Sequence, residues 1–446
     1  MRRFAGHEAL GRWLLVLSGE AVALGFLILP DARRHLASYL GLFLLGAVVS
    51  LLAARSLSGS GRGFLLLSAA LLRATLLFRA PDLSEDVWRY LWDGEVSRHG
   101  ISPYRYAPDD PALRGLSSSL RAQLAHREIR TVYPPVAQAV FRVFGRFGLF
   151  SLKAAMAAAD VAVVGLLFSA GGSFAAALYA FHPLPITEIA GQGHLDSLGA
   201  ALLLAALLYI RSGRRAPAGL AFAASVLTKY VSIAAAIPIF RRGRLAALAA
   251  SVLLGAAVWL AATRSGVSPA GDLKQFSLRW DFNSVLYPAA VRLMEVTNLP
   301  ETAKDMFIDW KGRHHDPSWS QAVFPYFYAA FFARALLAGI LAVLLVVIGR
   351  RVADLEAAVL ASVGALLLFS PTLHPWYLVW ILPFAALKRE PAFLFLSLAV
   401  PLAYALLYPL PGVSSGMIFA LEYVPFALLL ARTLIGAGHG SIRART

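Results

Sequence analysis

Carboxylates, arginines, histidines and a lysine recur in short motifs that each adjoin an apolar run. The densest is Pro81-Asp-Leu-Ser-Glu-Asp-Val-Trp-Arg-Tyr-Leu-Trp-Asp-Gly94. Helical spacing puts Asp86, Arg89, Tyr90 and Asp93 on one face, at i, i+3, i+4 and i+7. A carboxylate here can act as general base on a hydroxyl, with Asp86 the first candidate and Glu85 and Asp93 beside it. Arg89 can hold a phosphate, or it can pair with Asp86 and Asp93. The plainer reading is a helix capped by Ser84 and decorated with solvated ion pairs. Chemistry alone leaves both open.

Five further motifs and one lysine carry polar groups. Gly100-Ile-Ser-Pro-Tyr104 and Ile129-Arg-Thr-Val-Tyr-Pro-Pro135 place Tyr104 and Tyr133 in a loop stiffened by proline. Thr187-Glu-Ile-Ala-Gly-Gln-Gly-His-Leu-Asp196 sets Glu188, His194 and Asp196 in a short turn between apolar runs. Ionisable groups at that depth are expensive and suggest a substrate site. Their spacing has no metal-ligand signature, so no metal is assigned. Lys229 is the only lysine between 154 and 273, and an ammonium is a natural point-charge partner for phosphate. Arg279-Trp-Asp-Phe-Asn283 offers a second cation, and Ser370-Pro-Thr-Leu-His-Pro-Trp-Tyr377 offers His374 as a donor. Trp376 and Tyr377 also suit an interfacial aromatic belt.

The elements that position these groups follow from composition. Of 446 residues, 59% are hydrophobic and only 15% charged. Soluble domains average roughly 45–50% and 25%. Too few charges remain to cover a globular surface, so the chain is expected to be an all-α polytopic membrane protein, one integral domain over 1–446. Cysteine is absent, which excludes disulfides, thiolate metal sites and thiol nucleophiles. The net charge of +16 is carried almost wholly by arginine. Cytoplasmic loops account for it, so nucleic acid is not expected as a partner. No cleavable signal peptide is evident.

Apolar runs near 11–30, 36–54, 63–80, 152–170, 173–189, 196–210, 245–263, 322–349, 355–372, 376–387, 391–409 and 416–436 predict about 12–14 spans. The short basic loops, among them 211–215, 241–244, 350–351 and 388–389, share one side only if 216–240 is a hairpin broken near Lys229. Both termini are then cytoplasmic, and two long loops, 81–150 and 264–321, face outward. Those loops hold fifteen of the 25 acidic residues. Pro134-Pro135 opens an amphipathic helix suited to the interface. Only Glu20, Asp160 and Glu422 are expected as charges within spans. No internal repeat is visible.

Taken together, Asp86-Val-Trp-Arg-Tyr-Leu-Trp-Asp-Gly, Gly-Ile-Ser-Pro-Tyr104, Tyr-Pro-Pro135, Gly-Gln-Gly-His-Leu-Asp196 and His-Pro-Trp-Tyr377 resemble bacterial GT-C-type integral membrane glycosyltransferases. The likeness is to glycosyltransferase family 87 and the polyprenol-phosphomannose-dependent mannosyltransferases, and it runs from about residue 80 to 390. Three spans precede the acidic motif here, where simpler members have one. The resemblance implies a GT-C-like bundle in the bacterial inner membrane with its active site outside. It implies a polyprenyl-phosphate sugar donor, mannose as the sugar, and inversion without a cofactor. The acidic position after a span matches Asp86, with Glu85 beside it. Donor-phosphate binding is assigned to Arg89, Lys229, Arg279 and His374. Substrate contacts are assigned to Tyr90, Tyr104, Tyr133, Glu188, His194, Asp196 and Trp376. The acceptor is a glycan, glycolipid or protein, and membrane lipids are partners.

Two rivals remain at this point. A polysaccharide polymerase or ligase of the O-antigen type also carries arginine and histidine in outer loops, but it leaves the acidic motif unexplained. A transporter or flippase would line a central path with charge, whereas these groups gather at helix ends on one side.

Overall fold

The computed structural model describes residues 2–263, 266–313 and 319–443. Residues 264–265 and 314–318 of the expected second loop, Asp316 among them, and Arg445 lie outside the described residues. The described chain is helical, with one isolated backbone bridge. One apolar core runs from Val16 to Phe426. Leucines such as Leu17, Leu44 and Leu253 are exposed on its periphery, as lipid contact requires.

Six helical stretches among the described residues are long and apolar enough to cross a membrane, two of them broken within: Leu10–Ile28, Leu36–Ser56, Pro135–Gly171, Tyr230–Ala261, Ala329–Arg351 and Ser415–Gly436. The other apolar runs form shorter or broken segments. The 173–189 run is a helix, Ser173–Phe181, followed by a wide turn over Ile186–Gly191. Prolines turn Pro375–Trp380 into a tight 3-10 segment before Leu382–Lys388. Within 135–171 the helix Pro135–Phe144 is separate from Gly148–Gly171.

The 216–240 region reverses. Helix Arg215–Thr228 ends at an extended Lys229 (φ −159°, ψ 138°), and Tyr230–Ala235 leads back. Phe222 meets Phe240 edge to face across the return, with ring centroids 5.3 Å apart. A second reversal at Arg244 (φ 56°, ψ −162°) sends the chain out again, with Ser251 donating to the Gly219 carbonyl. The basic loops therefore gather at one end. Arg211 pairs with Glu356, Lys388 with Asp354 at 3.0 Å, Arg241 donates to the carbonyls of Gly349 and Arg350, and Arg242 to that of Ala353.

Helix Asp196–Arg211 separates that end from the opposite one by about 24 Å at 1.5 Å per residue. At the opposite end the two long loops fold on each other. Trp92, Val96, Leu113 and Leu124 form a small core within the first. Arg130 grips Asp272 of the second loop through Nη2 at 2.6 Å and through its backbone N–H at 2.7 Å. Gly271 (φ 52°) lies against the Thr131 carbonyl, where a Cβ would collide. Farther on, Phe282 bridges to the 371–373 turn through backbone bonds of 3.0 and 2.8 Å. Asn283 Nδ2 then donates to Glu422 at 2.8 Å.

Two almost completely buried cations within the apolar runs escaped the sequence reading. Arg73 is buried and bonded to Asp160 at 2.6 Å, and Tyr179 donates to the other oxygen of Asp160, also at 2.6 Å. Lys153 is fully buried and donates to the carbonyls of Leu76, Leu77 and Arg79, which end the preceding span. Both are internally satisfied, so the hydropathy of their runs survives.

Candidate active site

Helix Asp86–Arg98 begins directly after the third apolar helix and packs on Pro135–Phe144, where Tyr90 stacks on Phe141 at 4.4 Å. This packing divides the expected common face. Asp86 and Arg89 line a cavity, Arg89 also donating to the Ile129 carbonyl at 2.8 Å, whereas Tyr90 and Asp93 are buried beneath. Asp93 is held by Arg89 at 2.9 Å and by Gln138 at 2.9 Å, so both of its oxygens are occupied. Glu85 is half exposed and pairs with Arg33 of the 29–35 connection at 3.4 Å.

Asp86 stands where two cavities meet. The larger, about 410 Å³, is mostly apolar and is lined by Ile233, Leu366, Leu367, Tyr377, Lys229 and His374, among others. The smaller, about 120 Å³, is lined by Glu85, Arg89, His126 and Arg130. Asp86, Val132, Tyr133, Phe276 and Trp280 belong to both. Phe276 and Trp280 come from the Leu273–Arg279 helix and its end, clamped at Asp272 on one side and Phe282 on the other. The carboxyl of Asp86 is raised above its ordinary range, by burial first, with the Lys229 ammonium opposing and Asp196 reinforcing. A base with raised proton affinity is better matched to a hydroxyl.

Lys229 projects into the larger cavity and bonds Asp196 at 2.8 Å, while its ammonium lies 4.3 Å over the Tyr377 ring. Asp196 is fully buried and also accepts from the Trp380 indole at 2.6 Å. His374 stacks between Phe282 (4.6 Å) and Trp376 (4.4 Å). Burial, then Lys229, pushes its imidazole down to about 3, so it meets the cavity as a neutral donor and not as a cation. Trp376 lines the same cavity.

Other residues singled out by the sequence lie elsewhere. Arg279 is exposed and lines neither cavity. Tyr104 is buried, its hydroxyl donating to the Tyr133 carbonyl at 2.9 Å. Glu188 and His194 are fully buried behind Asp86 and, like Asp196, do not line either cavity. Among the described residues no group of three His, Cys, Asp or Glu side chains is placed to hold a metal. Sequence reasoning missed Phe276, Trp280, His126 and Arg130. For Trp280 the signal was present in Arg279-Trp-Asp, where the tryptophan and not its neighbouring arginine turns inward.

Asp86 thus stands in a helical membrane bundle between a larger, mostly apolar cavity and a smaller one that charged side chains also line. Residues 21–242 match the MptA_B family, described as alpha-(1->6)-mannopyranosyltransferase, N-terminal domain. That match bears out the resemblance to GT-C-type mannosyltransferases and identifies mannosyl transfer as the chemistry of the family. No curated protein and no solved structure matches the chain.

Proposed function

We propose that the protein moves mannose from a polyprenyl-phosphate donor to an acceptor hydroxyl, with inversion, on the outer face of the bacterial inner membrane. The observation that supports this reading is Asp86 at the junction of two cavities, with Lys229 in the larger and Arg89 and Arg130 in the smaller. The larger cavity suits the lipid-phosphate donor, and Lys229 suits its phosphate, assisted by neutral His374 as a hydrogen-bond donor. The smaller cavity suits the acceptor, a glycan, glycolipid or protein.

Asp86 takes the acceptor proton as the hydroxyl oxygen forms its bond to the anomeric carbon. The bond from that carbon to the phosphate oxygen breaks, and its electron pair leaves with the lipid phosphate. The leaving group is already a stable anion, so cations serve it and no general acid is needed. Inversion requires one carboxylate and no glycosyl-enzyme intermediate. With the basic end of the bundle in the cytoplasm, both termini lie inside and the cavities open outward.

The test is transfer in proteoliposomes, with polyprenyl-phosphate [14C]mannose as donor and octyl α-mannoside as acceptor. Wild type should transfer, and Asp86→Asn should lose about 10²–10⁴-fold in rate while still binding donor. Wild-type turnover in Asp86→Asn would refute the assignment of the base.

A further inference from the structure

Behind Asp86 lies a group of polar side chains that the reaction as described does not use. His194 is fully buried, and neither ring nitrogen has a hydrogen-bond partner. Its Nδ1 stands 3.6 Å from a carboxyl oxygen of Asp86, and its Nε2 stands 3.6 Å from one of Glu188. Both gaps are just beyond hydrogen-bond length, so small shifts close them. Catalytic hydrogen bonds in ligand-free sites are commonly long and tighten when substrate binds. Trp376 stacks flat on the imidazole at 3.9 Å and fixes the plane in which those shifts occur.

We infer that Glu188, in its neutral form, and His194 continue the hydrogen-bond system of Asp86 inward and set the orientation and proton affinity of the base. They are positioning residues of the proposed transfer, and the inference rests on that reading. Glu188 is fully buried and accepts from the Tyr404 hydroxyl at 2.9 and 3.0 Å. Asp82 and Asp196 beside it are negative, each already paired with its own cation, Arg79 and Lys229; the Tyr39 hydroxyl also faces it, and its one ion-pair contact among the described residues is with His194. An ionised carboxylate there would lack a counter-charge, whereas a neutral carboxyl group can donate. Burial, then the Lys229 ammonium, then His374 hold the His194 imidazole well below its usual range, so the ring is neutral and carries one N–H. The order that satisfies both ring nitrogens is Glu188 O–H donating to Nε2 and Nδ1–H donating to Asp86.

The other groups acting on Asp86 are Lys229, Asp196, Tyr133 and Glu85. The Tyr133 hydroxyl also hydrogen-bonds this carboxyl, and His194 Nδ1 faces one of its oxygens. A donor at that oxygen stabilises the ionised base and leaves its other oxygen free for the acceptor hydroxyl.

The experiment uses the full-length protein in proteoliposomes, with the same donor and octyl α-mannoside, across a pH series. His194→Phe removes the donor, so the acidic limb of the rate profile should move up by about one pH unit, a tenfold change in proton affinity. kcat should fall while KM for the donor holds. Glu188→Leu should move the limb in the same direction. Glu188→Gln, whose amide still donates to Nε2, should keep the wild-type limb. An unmoved limb in His194→Phe, or Glu188→Gln behaving as Glu188→Leu, overturns the inference. Infrared comparison of wild type with Glu188→Gln at neutral pH needs neither substrate nor turnover, and it decides the matter if His194→Phe fails to fold. Loss of a protonated-carboxyl stretch in the variant supports a neutral Glu188; no difference overturns it. A wild type inactive with this donor would instead sink the transfer reading, leaving the infrared result to stand for the buried group alone.

Discussion

Replacing Lys229 separates two jobs that one ammonium performs. Its bond to Asp196 neutralises a fully buried carboxylate, and its place in the larger cavity offers a charge to donor phosphate. Lys229→Ala leaves Asp196 with the Trp380 indole alone. Breaking one side of a buried pair costs about 3–5 kcal/mol, a large part of typical stability, so this variant should unfold at a clearly lower temperature. Lys229→Ala combined with Asp196→Asn removes both charges, and most of that loss should be recovered because no unpaired anion remains. Donor binding should not recover. A hydrogen bond to a charged group contributes roughly 1.5–3 kcal/mol, which is about a 10–150-fold weaker donor Kd at 1.4 kcal/mol per tenfold. Thermal unfolding in nanodiscs gives the first quantity, and titration with the lipid donor gives the second. A double variant that binds donor like wild type would show that Lys229 serves only Asp196, and the phosphate assignment would fall.

Arg130→Ala frees one end of the segment that carries Phe276 and Trp280, and limited proteolysis should then cut near 266–285, where wild type resists. Acid should act in the same sense. Burial raises the Asp272 carboxyl but the Arg130 bonds outweigh it, so its folded value lies below the unfolded one. The clamp is therefore fully present above the ordinary aspartate range and is lost as pH falls through the depressed value, which hydrogen exchange of the 272–282 backbone can follow. Trp280→Ala opens both cavities at their shared wall and should raise the KM for donor and acceptor together; a change confined to one substrate would place the wall wrongly. Single cysteines at the exposed Lys274 and Arg351, in a chain with none to remove, should label from outside and inside respectively, and labelling from the same side would overturn the proposed sidedness.

The helical membrane character was legible because composition fixes it, and the reversal at Lys229 was legible because basic loops had to share a side. Asp86 was singled out as a carboxylate directly after an apolar run, and the structure places it on the shared wall of two cavities. What could not be read was which side of a polar helix faces a neighbour. Tyr90 and Asp93 share the helical face of Asp86 by spacing, yet Phe141 and Gln138 cover them. Arg279 was favoured for its charge, whereas the adjacent Trp280 faces the cavity, a choice set by the remote contacts of Asp272 and Phe282. Arg73 and Lys153 were invisible because averaging over twenty residues hides one cation whose partner is distant in sequence.

The Arg73–Asp160 bond also bears on how the chain is made. Its two ends are 87 residues apart. Arginine at the centre of a helix entering the bilayer disfavours insertion by about 2.5–3.5 kcal/mol. At roughly 5–20 residues per second, some 4–17 s of synthesis pass before Asp160 follows Arg73 off the ribosome. For that interval the third helix has no internal counter-ion, so it should linger at the insertion machinery or sit shallowly, and only the arrival of the 148–171 helix lets the pair be buried. The bond that looks static in the finished protein is thus a timing constraint on its birth.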